Sequence, residues 1–146
     1  MLDGLSNKVG RVGFFPSAKY EDGTPVAYVA TIQEFGAPSQ GIPPRSFMRS
    51  TAETQQATWK ETARKGAQAV VKGNVTGEQV LEVISQQAAG DIRRTISKLV
   101  SPPIKPATIA SRLRQRADGV TVGKLDKPLV DTGTLLNSVT YEVGDK

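Results

Sequence analysis

The chain contains neither cysteine nor histidine. Without cysteine there is no disulfide, no thiolate nucleophile and no zinc–thiolate site. Without histidine the commonest acid–base group and metal ligand at neutral pH is missing. Ser-His-Asp and Cys-His catalysis and histidine-based zinc sites are therefore excluded. Apolar runs are short, far below the ~20 residues needed to span a bilayer. No cationic stretch followed by an apolar run opens the sequence, so the expectation is a soluble protein made in a cytoplasm, with no membrane partner.

What remains is modest in size and rich in chain breakers. At 146 residues the sequence reads as one domain, 1–146, and its 38% hydrophobic residues supply one modest core. The 14 glycines and 9 prolines make up about 16% of the chain against an average of about 12%, which predicts long ordered turns or arms. Lys and Arg outnumber Asp and Glu by 19 to 14. That balance permits contact with nucleic acid or an acidic protein without specifying either.

Lys8 to Pro16 reads as a short strand whose glycines suggest a bulge or a close backbone approach. Residues 24–36 alternate like a strand, yet Tyr28, Val29, Ile32 and Phe35 also share a helical face. Thr24 as cap, Pro25 at the first helical position and Gly36 at the C′ position decide for a short helix. Residues 36–45 hold two glycines and three prolines and predict a stiff extended loop. Ser46 then caps a long helix whose apolar face is Met48, Ala52, Trp59, Ala63, Ala67 and Val70.

Gly73-Asn74-Val75 breaks that helix, and Thr76 with Gln79 has the form of a capping box. Val80, Leu81, Ile84, Ala88, Ile92, Ile96 and Leu99 make the most regular apolar stripe in the chain. Two long helices joined by a tight turn form an αα-hairpin. Ser101 to Pro106 ends the second helix. Thr108 caps a short basic helix from Ile109 to Ala117, and 118–128 reads as an extended loop. Val139 to Val143 alternates as a strand. The fold class is α+β, a small antiparallel sheet from the terminal strands packed on the hairpin.

Chemistry is sparse in this pattern. Asp and Glu show no metal-ligand spacing, and Gly123-Lys124 lacks the remainder of a P-loop. Ser97-Lys98 are neighbours on a helix and do not face each other. The reading is a non-enzyme with no cofactor, metal or catalytic residue. A second possibility is a small nucleic-acid-binding protein using Arg93, Arg94, Arg112, Arg114 and Arg116, although steps of two spread the last three around their helix.

Two segments go beyond generic sequence. Glu34-Phe35-Gly36 is followed by Ile42-Pro43-Pro44-Arg45-Ser46-Phe47-Met48-Arg49. Far downstream stands Asp131-Thr132-Gly133-Thr134-Leu135, with Ser138-Val139 before the last strand. In this order around a helical middle, they resemble the small neck and tail-completion proteins of tailed bacteriophages. Ser46 stands where many of those proteins carry a second proline. The resemblance implies a virion protein of the head–tail neck or tail end. It would assemble as a ring of itself, a hexamer, that completes the tail or joins it to the head. Neighbouring neck, adaptor or tail-tube proteins would be its partners, with at most weak nucleic-acid contact.

The motif residues make physical sense without chemistry. Glu34, Phe35, Gly36, Pro43, Arg45, Phe47 and Arg49 are the expected assembly interface. Arginine pairs bidentately with carboxylates, and phenylalanine is a large apolar anchor. The alternative is that Phe47 and Arg49 stitch the helix start to its own domain. Asp131, Thr132, Gly133, Leu135 and Ser138 read as a structural turn that sets the register of the last strand.

Overall fold

The computed structural model describes residues 7–119 and 133–146. Asp131 and Thr132, and most of the expected 118–128 loop, lie outside them. The element order is β1 (Lys8–Gly13), α1 (Val26–Phe35), α2 (Met48–Val71), α3 (Gly77–Lys98), α4 (Pro106–Ala117), α5 (Thr134–Asn137) and β2 (Thr140–Asp145). β1 and β2 pair antiparallel from Lys8↔Asp145 to Gly13↔Thr140. This is an α+β fold, with a two-stranded sheet packed on the second helix of a long αα-hairpin.

Of the two alternatives that the β1 glycines suggest, Gly10 is a close approach. A Cβ on Gly10 would lie 2.3 Å from Ser85 Oγ, so the missing side chain lets the sheet settle on α3. Tyr141 and Val143 share a face of β2, and Val139 just before it is fully buried. The core gathers Val26, Ala30, Phe47, Ala89, Ile92, Ile96, Leu135 and Val139. Strand ends, α1, the start of α2 and the C-terminal half of α3 therefore meet in one place.

The hairpin is more polar than its stripe suggests. Ala52 and Ala67 are exposed, and the buried residues of α2 are Thr51 and Val70. Thr51 Oγ1 lies 2.6 Å from Thr95 Oγ1, Trp59 Nε1 donates to Asp91 at 2.8 Å, and Thr62 Oγ1 donates to Gln87 at 2.9 Å. These three cross-links replace apolar contacts along much of the interface. Near the turn the helices come close enough that a Cβ on Gly66 would meet Val80 at 2.4 Å.

Local corrections follow from the same geometry. Pro25, not Thr24, is the N-cap of α1. The Thr24 N–H instead donates to the Asp22 carboxylate at 2.9 Å, closing a turn. The buried face of α1 is Val26, Ala30 and Glu34, while Tyr28 and Phe35 are exposed at 59% and 60%. α4 begins at Pro106 with Lys105 as its cap position, earlier than the Thr108 start expected. Proline fits there because the first helical N–H has no intrahelical partner. Among the described residues no helix is long and apolar enough to cross a membrane.

Candidate assembly site

The first motif folds into a junction between α1, the proline loop and α2. α1 places Glu34 on its inner face, where only 5% of the residue is exposed. The N–H groups that begin α2 have no helical partner of their own. Glu34 supplies it: its carboxylate accepts from the N–H of Phe47 at 2.8 Å, of Met48 at 2.9 Å and of Arg49 at 3.2 Å. It also accepts from the Ser46 hydroxyl at 2.8 Å and from Arg49 Nε at 2.9 Å. Ser46 is therefore not the cap that its position suggests. Phe47 occupies the cap position with no side-chain cap of its own, and Ser46 donates to the residue that does the capping.

A carboxylate at a helix N-terminus also meets the positive end of the helix dipole. Burial alone would push the Glu34 carboxyl up. Hydrogen bonds from the Arg49 side chain, the Met48 N–H, the Ser46 hydroxyl and the Arg49 N–H outweigh it, and hold the group below its ordinary value. Arg49 closes the junction from outside. It donates to the Glu34 carbonyl at 3.2 Å, and its guanidinium lies 4.7 Å from the centre of the Phe35 ring, a cation–π contact.

Gly36 makes the return possible. Its φ of 76° lies in the region that favours glycine, and a Cβ there would come within 2.8 Å of Pro44 N and 2.9 Å of Ile42 O. The expected extended loop is in fact folded back on itself. Pro38–Gln40 make a 3-10 turn, and Ala37 bridges Ile42. The Arg45 N–H reaches back to the Gln33 carbonyl at 2.7 Å.

The Arg45 side chain, 7% exposed, joins the two proline-rich breaks. Nε donates to the Pro102 carbonyl at 3.0 Å, one terminal nitrogen to the Pro103 carbonyl at 3.3 Å, and the other to Gln33 Oε1 at 3.3 Å. Burial lowers its pKa, and the neighbouring charge of Arg112 adds to that. A groove of about 740 Å³ opens beside it, lined by Pro43, Pro44, Arg45, Pro103, Lys105 and Arg112 among others. Both breaks are visible in the sequence, but nothing local says that they meet.

Phe47 is fully buried, with its ring edge-on to Phe14 at 6.0 Å. Phe47, Leu135 and Val139 belong to one cluster, so both motif segments converge in the core. Gly133 adopts the left-handed conformation at the start of α5, and Ser138 closes that turn at its end. These positions correct the expected interface. Glu34, Arg45 and Phe47 are buried within the subunit; for Phe47 this is the stitching alternative, and Arg49 stitches the helix start likewise through its bonds to Glu34. Phe35 and Arg49 remain exposed, while Gly36 and Pro43 are half-buried.

The five arginines considered for nucleic acid are divided by the fold. Arg93 donates through Nε to the Val139 carbonyl at 3.1 Å, Arg94 pairs with Asp91 at 2.7 Å, and Arg112 is buried. Arg114 and Arg116 are exposed on α4. Searches with family models, among curated proteins and among solved structures find no match to this chain.

Proposed function

We propose that this protein is a structural subunit of a bacteriophage virion, forming a ring at the head–tail neck or the tail end. One observation carries the reading. The two separated segments that resemble neck and tail-completion proteins converge on one junction, where Glu34, Gly36, Phe47, Arg49 and Leu135 each have a definite structural task. Such residues define a fold type, and the resemblance attaches that fold type to virion assembly. The work of the protein is then geometry and binding energy. A heterologous interface repeated around an axis closes into a ring when its rotation closes.

The test is a phage carrying a deletion of this reading frame. Unjoined heads and tails, or tails of irregular length, are expected by electron microscopy, with the chain located at the neck or tail end of normal particles by reconstruction. Normal infectious virions from the deletion would overturn the role. Steep, salt-sensitive binding of duplex DNA by the isolated protein would favour the nucleic-acid reading instead.

A further inference from the structure

We infer that the two-stranded sheet is extended by a second copy of this chain, with the outer edge of β2 in one subunit pairing antiparallel with the outer edge of β1 in the next. The edge pairing follows from the strands themselves. Its closure into a ring rests on the function proposed above.

The alternation of the ladder fixes which groups face outward. Lys146 N–H donates to the Asn7 carbonyl at 2.9 Å, which makes that pair a hydrogen-bonded one. In an antiparallel ladder such pairs alternate with pairs whose N–H and C=O groups turn away. With the observed register, Lys8, Gly10 and Val12 present their backbone groups on the free edge of β1. Tyr141, Val143 and Asp145 do so on the free edge of β2. Apart from the Asp145 carbonyl, 3.4 Å from the Arg11 guanidinium, these groups have no backbone or side-chain partner among the described residues. Among the described residues α3 is the element packed on the sheet, and no further strand pairs with either outer edge. An uncovered edge is a template for another strand, and a two-stranded sheet gains most from one.

Charge selects the occupant. β1 carries Lys8 and Arg11 and no acid, whereas β2 carries Glu142 and Asp145 and no base. Within the subunit these pair as Lys8–Asp145 at 3.3 Å and Arg11–Glu142 at 3.5 Å. A two-fold contact would bring a basic edge against a basic edge, or an acidic edge against an acidic one, and gain no opposite-charge pair between β1 and β2. Head-to-tail addition sets acid against base. The outward residues also fit without a register shift: Asp145, Val143 and Tyr141 meet the next subunit's Lys8, Gly10 and Val12. Glu142 then stands opposite the next subunit's Arg11 in a close pair that exchanges no hydrogen bonds.

The absence of native cysteine makes the test clean. Arg11→Cys and Glu142→Cys are prepared separately, mixed and oxidised. A disulfide-linked dimer is expected in the mixture and in neither variant alone. Cross-linking of either variant by itself would mean that like edges meet and would overturn the inference, as would no cross-link in any sample. Residue-resolved amide exchange gives a second readout. On raising the concentration of unmodified protein, Gly10, Val12, Tyr141 and Val143 should slow by about tenfold or more, while Val9, Arg11 and Glu142 stay as they were. Uniform protection or none would count against edge pairing. Cross-linking in a protein that virions do not contain would sink the virion reading and leave the edge contact. A neck-located protein that fails to cross-link would do the reverse.

Discussion

The two long helices begin in opposite ways. α3 carries its own cap: Gln79 N–H donates to Thr76 Oγ1 at 3.2 Å, and Thr76 N–H to Gln79 Oε1 at 2.9 Å. α2 has no local cap and depends on Glu34, thirteen residues before Phe47, reaching in from the preceding helix. The first arrangement survives with only one turn of chain. The second exists only when α1, the loop and α2 are already assembled, so it couples the helix start to the tertiary fold.

The largest effect should come from removing the long-range cap. Glu34→Ala leaves three backbone N–H groups, the Ser46 hydroxyl and Arg49 Nε without their carboxylate acceptor, and is expected to cost about 3–4 kcal/mol in urea unfolding. Glu34→Gln should fall between, because the amide keeps one acceptor oxygen. A loss no greater than that at the α3 cap would break the contrast.

Gly36→Ala comes next, at about 2–3 kcal/mol, because the new Cβ adds a backbone clash to an unfavourable φ. Its readout is the same unfolding midpoint, measured beside a Gly73→Ala control. Gly73 also has positive φ but open space around it, so the control isolates the clash. Thr76→Ala should cost about 1 kcal/mol, the ordinary price of a lost cap.

Acidity separates the two starts further. The folded-state pKa of Glu34 lies below its ordinary value of 4.5. Its ionised form therefore contributes fully above that value, and the contribution is lost as the pH falls through the folded pKa. The stability gap between the unmodified protein and Glu34→Gln should accordingly narrow between pH 6 and pH 3. The gap for Thr76→Ala, which involves no titrating group, should not change; equal narrowing of both would contradict the assignment.

The smallest effect is expected at Glu61. Arg64 hydrogen-bonds its carboxylate and holds it at about 2, yet the pair is fully solvated on the outside of α2. Glu61→Gln should leave the midpoint unchanged within error. A clear loss there would show that α2 draws on surface pairs rather than on its anchored start.

The legible parts of the fold are those whose cause is local. The Thr76–Gln79 box lies within four residues and was readable as written. So was the αα-hairpin, from the stripe of α3 and the Gly73 break, whereas the glycines of β1 left a bulge and a close approach as alternatives until the structure showed the latter at Gly10. The face of α1 was not. Tyr28 and Phe35 look like core by type, but Glu34 must face inward to reach α2, and that rotation turns both aromatics outward. The α2 cap escaped for a related reason, since Ser46 fits a cap by position and only the folded loop shows a better acceptor already there. At the candidate site, Glu34, Arg45 and Phe47 were read as an assembly interface, whereas the structure buries all three within the subunit. The partners that bury Arg45 and Phe47 include the Pro102 and Pro103 carbonyls and the Phe14 ring, 33–58 residues distant in sequence, and leave no local mark.

By itself the sequence determined where β1, α1 to α4 and β2 begin and end, to within a few residues, though not α5 or the 3-10 turn, and which chemistries the missing cysteine and histidine forbid. Those outcomes depend on backbone propensity, chain breakers and side-chain inventory, all carried by short stretches. Only the tertiary structure decided what each motif residue touches. A buried carboxylate is stable only with several donors around it, and a buried guanidinium only with acceptors. Those groups arrive from distant segments when the chain closes. The strands β1 and β2 show the same division: their alternation and charge are written locally, but which backbone groups of each strand face its partner was settled when they paired.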